Sequence, residues 1–86
     1  MKELELYDII TLDDNTEYTI MQMIMYKNRK YCLIAPIDKE EEPDLENIKI
    51  VEEIKESGQI LIQEETDEEY IKELAVEFSK QLEEEL

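Results

Sequence analysis

The sequence predicts an α+β fold: an antiparallel sheet of four to five strands with one C-terminal amphipathic helix packed on one face. Two observations predict this order. Short apolar segments that alternate with a period of two fill most of the chain, and turn-forming residues separate them. The last twenty or so residues instead show the spacing of a helix. We expect a single domain spanning residues 1–86, since a chain this short supports one thin core.

The first three predicted strands form two hairpins. Tyr7 to Leu12 are mostly apolar or β-branched, and the turn formers Asp13–Thr16 follow them. Glu17 to Tyr26 alternate over a longer second strand. Lys27–Asn28 can close a two-residue turn in which Asn28 accepts a positive φ, so the third strand runs from Tyr31 to Ile37.

A loop separates these strands from two more. The acid-rich stretch DKEEEPD contains Pro43, which cannot donate a ladder hydrogen bond. Alternation resumes at Ile48, Ile50 and Ile54. Ser57–Gly58 then marks a turn before a fifth short strand at residues 60–62.

The predicted helix begins at Thr66. Thr66 and Glu69 have the spacing of a capping box, and Asp67 and Glu68 add negative charge near the positive end of the helix dipole. Apolar residues recur on one helical face and can cover one side of the sheet: Tyr70, Ile71, Leu74, Ala75, Phe78 and Leu82.

The charge of the chain is extreme and uneven. It has 25 acidic and 9 basic residues, a net charge of −16, but 42% apolar residues, which favours a folded acidic domain over a disordered tail. Residues 1–37 carry a net charge of −2 and residues 38–86 carry −14. Such a field repels nucleic acid and anionic membranes and attracts basic proteins, so we expect no direct nucleic-acid binding and no membrane partner.

Several functional classes are disfavoured by residue content. Histidine is absent, which removes the common catalytic triads and dyads, and the single cysteine, Cys32, has no adjacent basic residue to stabilise a thiolate. We therefore predict no enzyme, no cofactor and no metal site. The N-terminal residues lack the pattern of a signal peptide and no apolar segment reaches the length of a membrane span, so we expect a cytoplasmic protein.

The stretch MQMIM places Met21, Met23 and Met25 at alternate positions of the second strand. A two-residue loop at Lys27–Asn28 pairs Met23 with Cys32 and Met21 with Ile34. One face of the hairpin then carries these methionines with Cys32 and Ile34, although Gln22 would point among apolar neighbours, which favours a bulge near it. The opposite, richer face meets the helix and carries Tyr18, Ile20, Ile24, Tyr26, Tyr31, Leu33 and Ala35.

Three interpretations of the methionine face follow. Residues after Pro43 can fold across it as a second small layer. Alternatively it is an apolar patch for a protein partner or for homodimer formation, with Met21, Met23, Met25 and Ile34 as the partner-binding residues. A copper(I) site of Met21, Met23 and Cys32 is chemically feasible, but alternation alone does not build a coordination sphere.

The stretch from Tyr26 to Asp38, YKNRKYCLIAPID, resembles the Y-x-G-K-x-Y-x-x-L-x-P-x-D pattern of the YrzB-like family of small acidic, uncharacterised bacterial proteins. The likeness extends from Ile10 to Tyr70 and into the acidic C-terminal helix. Asn28 stands where glycine is usual. The resemblance implies a bacterial cytoplasmic protein and carries over no catalytic residue.

These observations leave two hypotheses for function. The first is a protein-protein interaction module without catalytic activity, in which the acidic half steers a basic partner and the methionine face contacts it. The alternative is an acidic nucleic-acid mimic, in which carboxylates of the Glu68–Glu85 helix and the Asp38–Asp44 loop occupy the basic cleft of a DNA- or RNA-binding protein.

Overall fold

The computed structural model describes residues 4–40 and 42–85 and confirms the predicted α+β fold. Its elements are β1 (Ile9–Thr11), β2 (Glu17–Tyr26), β3 (Arg29–Pro36), β4 (Lys49–Glu56), β5 (Gln59–Glu64) and α1 (Glu68–Glu85). The strands form one antiparallel sheet in the order β1-β2-β3-β4-β5, so each strand pairs with its neighbour in sequence.

Both tight hairpins depend on residues with positive φ. Lys27 and Asn28 have φ of 52° and 65° between β2 and β3, and Ser57 and Gly58 have φ of 51° and 78° between β4 and β5. Two successive residues with positive φ make the turn whose twist matches that of the flanking strands. The predicted turns at both places are therefore confirmed.

The predicted bulge in β2 is also confirmed, and Met21 lies in it. From the hairpin loop to Met23, which pairs with Cys32, the register is as predicted. Beyond the bulge, Ile20 pairs with Ile34, a position that unbroken alternation assigns to Met21. The extra residue reverses the direction of every side chain that precedes it in β2.

The bulge changes the composition of the two faces. The inner face carries a core of Tyr18, Ile20, Cys32, Ile34 and Val51. The outer face carries a second core, which α1 covers with Leu74 and Phe78, and which includes Ile24, Tyr31 and Ile50, with Tyr26 and Leu33 against it. The helix therefore lies on the predicted side for these residues, but the prediction that Tyr18 and Ile20 lie under it is wrong, because they precede the bulge.

The sheet curls around the inner core. β1 and β5 are at opposite edges of the sheet, yet Leu12 and Ile62 both pack against the inner core and line one cleft. Lys49 of β4 reaches the turn after β1, with its Nζ 3.7 Å from Asp14 Oδ2. The predicted second layer is thus replaced by the curl of the same sheet, although residues after Pro43 do cover the inner face.

Two hydrogen-bonding groups fix α1 in place. Asp67 caps its N-terminus, since its Oδ1 accepts hydrogen bonds from the backbone N–H groups of Glu69 (3.0 Å) and Tyr70 (3.4 Å). The predicted Thr66 capping box is therefore displaced by one residue. Further along, the buried Gln22 donates from Nε2 to the Phe78 carbonyl at 2.8 Å, which satisfies this amide and joins the helix to β2.

Candidate protein-interaction surface

The four residues of the predicted partner-binding face do not form one surface. Ile34 is fully buried in the inner core, and Met23 is half-buried against that core. Met21 lies in a cleft on the outer face, because the bulge separates it from Met23. Met25 is 68% exposed beside the hairpin loop. The prediction of a single methionine face is therefore wrong in its geometry, and Met25 is its most exposed member.

The same geometry corrects the copper hypothesis. Met23 and Cys32 are cross-strand neighbours on the inner face, whereas Met21 is on the other side of the sheet. Three soft ligands on two faces cannot converge on one ion. Within residues 4–40 and 42–85, no group of three or more Cys, Asp or Glu side chains is placed to hold a metal.

The outer face carries an apolar cleft on the part of β1 and β2 away from α1's contacts with Ile24 and Tyr31. Its volume is about 340 Å³. Tyr7 and Ile9 contribute from the first edge of the sheet and Met21 from the bulge. The lining is completed by Thr19, Ile37 and Pro43. We refer to these six residues as the outer-face cleft.

Tyr7 contributes an exposed aromatic side chain to the cleft. Its side chain is 70% exposed and its backbone has φ of 69°, a left-handed conformation that bulky residues rarely adopt. Hydrogen bonds hold this conformation: Tyr7 N–H donates to Ile20 O at 2.7 Å, and Asp8 N–H donates to Glu5 O at 3.1 Å. The local fold thus fixes an aromatic side chain in solvent at the cost of backbone strain.

Carboxylates lie beside one part of the cleft. Ile37 and Pro43 pair in an isolated bridge and are shared between the cleft and a neighbouring depression that also contains Asp38, Glu42 and Asp44. Asp38 Oδ1 accepts hydrogen bonds from the backbone N–H groups of Glu40 (2.8 Å) and Glu42 (3.0 Å), which orders this loop. An apolar cleft beside acidic groups suits a partner with an apolar anchor and basic neighbours.

Cys32 is poorly suited to nucleophilic chemistry. The side chain is fully buried, and burial, followed by the nearby Glu53 carboxylate, raises the pKa of the thiol to about 11. Lys30, whose Nζ lies 2.9 Å from Glu53 Oε2, acts in the opposite direction and lowers the pKa of the thiol. Cys32 therefore acts as a small apolar core residue and supplies little thiolate at neutral pH.

The basic tip of the β2–β3 hairpin contacts the start of α1. Lys27 Nζ lies 5.3 Å from the ring centroid of Tyr26 and 5.9 Å from that of Tyr70. The Tyr31 hydroxyl donates to that of Tyr70 at 3.1 Å, and burial and this bond raise the pKa of Tyr31 to about 12. These side chains attach the helix to the sheet.

Comparison with protein-family models, curated proteins and solved structures finds no match to this chain. The resemblance to the YrzB-like family stays a prediction. Across residues 4–40 and 42–85, no helix has the length and apolar character needed to cross a bilayer.

Sequence reasoning identified Met21 but missed the rest of the outer-face cleft. The sequence predicts a regular strand at Tyr7 and Ile9 and a loop at Pro43. A bulky residue with positive φ has no sequence signal comparable to glycine, and the bridge between Ile37 and Pro43 joins residues across a loop. The cleft therefore becomes visible in the tertiary structure.

Proposed function

We propose that this chain is a cytoplasmic, non-catalytic protein-interaction module that binds a basic protein partner through the outer-face cleft. The observation that carries the proposal is Tyr7, an aromatic side chain exposed at 70% in a hydrogen-bonded left-handed turn beside an apolar cleft. Backbone strain of this kind concentrates at functional positions.

The residues of the cleft supply the short-range contact. Buried aromatic anchors contribute a large share of the free energy of many protein interfaces, and a partner that covers Tyr7 and Ile9 would remove two exposed apolar side chains from water. Met21 adds a flexible side chain that can adjust to the partner.

The charge of the chain supplies long-range attraction. The net charge is −16, and Asp38, Glu42 and Asp44 lie beside the cleft. A basic partner would be steered toward this surface, and its rate of association would fall as salt increases. A second copy of the same chain would be repelled over long range.

The experiment places a photocrosslinker, p-benzoylphenylalanine, at Tyr7 and irradiates bacterial extract. The control carries it at Val76, an apolar residue of α1 with 54% exposure. We expect a saturable adduct from position 7, and binding at least about tenfold weaker in Ile9→Glu, since loss of a well-packed anchor costs about 1.5 kcal/mol or more. Val76→Glu should leave binding unchanged.

Two outcomes would contradict the proposal. Equal adducts from positions 7 and 76 would show nonspecific attraction, and unchanged binding in Ile9→Glu would exclude the cleft. If the captured proteins are DNA- or RNA-binding and modest salt releases them regardless of Ile9→Glu, nucleic-acid mimicry becomes the better hypothesis. That hypothesis also involves Glu41 and the side chains of Glu83–Glu85, which lie outside the described residues.

A further inference from the structure

The curled sheet is open along one seam, between the edge strands β1 and β5. A cleft of about 500 Å³ lies there, separate from the outer-face cleft. Thr11 and Leu12 line one side, and Ile60 and Ile62 line the other. In sheet order β1 and β5 each have a single neighbour. We refer to this opening as the β1–β5 seam.

Main-chain groups of β5 are directed into the seam. Glu65 N–H donates to Ile50 O at 2.9 Å, so the residues bonded to β4 are the odd-numbered ones, including Leu61 and Gln63. The N–H and C=O groups of the alternate residues point away from β4: Ile60, Ile62 and Glu64.

Main-chain groups of β1 also face the seam. Leu12 N–H donates to Thr16 O at 3.2 Å, and Ile20 N–H donates to Asp8 O at 3.0 Å. Even-numbered residues of β1 therefore bond to β2, and the main-chain groups of Ile9 and Thr11 point away from it. Two rows of backbone donors and acceptors thus face outward along the seam.

Strand direction determines what can fill the seam. Because all four pairings are antiparallel, the first and fifth strands run in the same direction. A sixth strand of opposite direction could pair antiparallel with both edges and would complete a closed antiparallel barrel. Strand addition to an exposed edge is a common mode of peptide recognition.

We propose that the β1–β5 seam binds an extended segment of another protein in which apolar and basic residues alternate. Apolar side chains of the segment would face Leu12 and Ile62, which are half-buried against the inner core. Three carboxylates and one ammonium line the cleft, namely Asp13, Asp14, Glu64 and Lys49, so a basic segment is complementary in charge. The net charge of −16 opposes a second copy as the occupant.

Lys49 marks one end of the seam. Its Nζ lies 2.9 Å from Glu64 Oε1 and 3.7 Å from Asp14 Oδ2, so it links the end of β5 to the turn that follows β1. The Tyr18 hydroxyl also donates to Asp14 Oδ2 at 3.0 Å. The bound segment would therefore run alongside residues 60–64 and stop at this linked end.

The probe is an acetylated hexapeptide of alternating valine and lysine, titrated into ¹⁵N-labelled full-length protein. Amide hydrogen exchange should slow at Ile60, Ile62 and Glu64. Leu61 and Gln63 already donate within the β4–β5 ladder and serve as internal references. One control peptide has the same composition with its valines and lysines in two blocks. A second is N-methylated at alternate residues, so that it cannot donate along one edge.

The protein variant for this test is Ile60→Pro. The N–H of the native Ile60 points into the seam and away from β4. Proline at this position removes that donor, is tolerated on an edge strand, and keeps the pairing with β4. We expect the dissociation constant for the alternating peptide to rise about five- to tenfold, as for loss of one backbone hydrogen bond and its neighbours. Ile60→Val keeps the N–H and should bind as the native chain does.

If the block peptide or the N-methylated peptide binds as tightly as the alternating peptide, the proposal is overturned, because charge alone would then explain binding. Slowed exchange confined to α1 would do the same. Protection of residues 60–64 in a peptide-free, concentration-dependent dimer would assign the seam to a second copy. None of these readouts depends on the outer-face cleft, so this proposal and the proposed function can fail separately.

Discussion

At the scale of single residues, Glu53 is the most unusual group of the inner face. Its side chain is fully buried on β4, and Lys30 Nζ lies 2.9 Å from Oε2. This ion pair compensates the buried charge, since neither carboxylate oxygen has a further partner among the described residues. Lys30 Nζ donates to Leu4 O at 3.2 Å as well. A charge in this position depends strongly on its partner.

We expect Glu53→Met to lower the free energy of unfolding by about 2–3 kcal/mol, because Lys30 would lose its counter-charge. The figure lies below the ~3–5 kcal/mol typical of breaking a fully buried pair, since Lys30 is 21% exposed. The double variant Glu53→Met with Lys30→Met should recover to within about 1 kcal/mol of the native value. Urea unfolding of the native protein, Glu53→Met and the double variant measures these free energies.

Glu52→Met is the matched control for this cycle. Glu52 pairs with the exposed Arg29 at 3.8 Å on the outer face, so its loss should change the free energy of unfolding by less than about 1 kcal/mol. A double variant at positions 30 and 53 that is less stable than either single variant would contradict the assigned pairing.

The buried thiol of Cys32 predicts a loss of stability at alkaline pH. Its pKa is raised from 9.0 to about 11, so above pH 9 the unfolded chain releases the proton while the native chain retains it. The free energy of unfolding should therefore fall as pH rises through this window. Urea unfolding between pH 8 and 10 should show a smaller decline in Cys32→Ala. Equal declines would contradict this linkage.

At the scale of secondary structure, one cap and one bulge decide where elements lie. The bulge at Met21 moves Tyr18 and Ile20 to the inner face while Ile24 and Tyr26 remain under α1. β2 thereby supplies apolar side chains to both cores. The 18-residue helix covers the outer core alone, and the inner core is enclosed by the curl of the sheet.

The start of α1 offers a direct test of the cap. Asp67→Ala should lower the free energy of unfolding by about 1 kcal/mol, since Asp67 accepts from two N–H groups of the first turn. Thr66→Ala should change it by less than about 0.5 kcal/mol, because Thr66 is exposed and precedes the cap. Thermal unfolding of both variants measures the difference. A larger loss of free energy in Thr66→Ala than in Asp67→Ala would contradict the Asp67 cap and support a capping box at Thr66.

At the scale of the whole molecule, charge acts across the entire fold. The molecule measures 33 × 30 × 25 Å and carries a net charge of −16. At about 0.01 M salt the screening length is about 30 Å, so carboxylates repel one another from side to side. The acidic surface that would attract a basic partner therefore also destabilises the free protein.

We expect the melting temperature to rise by about 4–8 °C between about 0.01 M and 0.5 M NaCl, which corresponds to about 1 kcal/mol for a domain of this size. Choline chloride at equal ionic strength is the control. An equal rise would show screening, whereas a rise with NaCl alone would indicate a specific cation site. A constant melting temperature would contradict self-repulsion as a destabilising term.

Patterns in the sequence predict the order of the elements, both hairpin turns, the bulge and the side of the sheet that meets Ile24 and Tyr31. Each depends on neighbouring residues: alternation, turn chemistry or a polar residue such as Gln22 in an apolar strand. These are local preferences, and local preferences can be deduced from a single chain.

Contacts between residues far apart in the chain set the curl, the seam and the outer-face cleft. The curl brings Leu12 and Ile62 together from opposite ends of the sheet, and the cleft joins Tyr7 to Pro43. Alternation assigns side chains to faces but does not specify how far a sheet twists or which distant residues meet. Both candidate binding surfaces depend on that long-range geometry, which is why the methionine pattern indicated an interaction surface but placed it incorrectly.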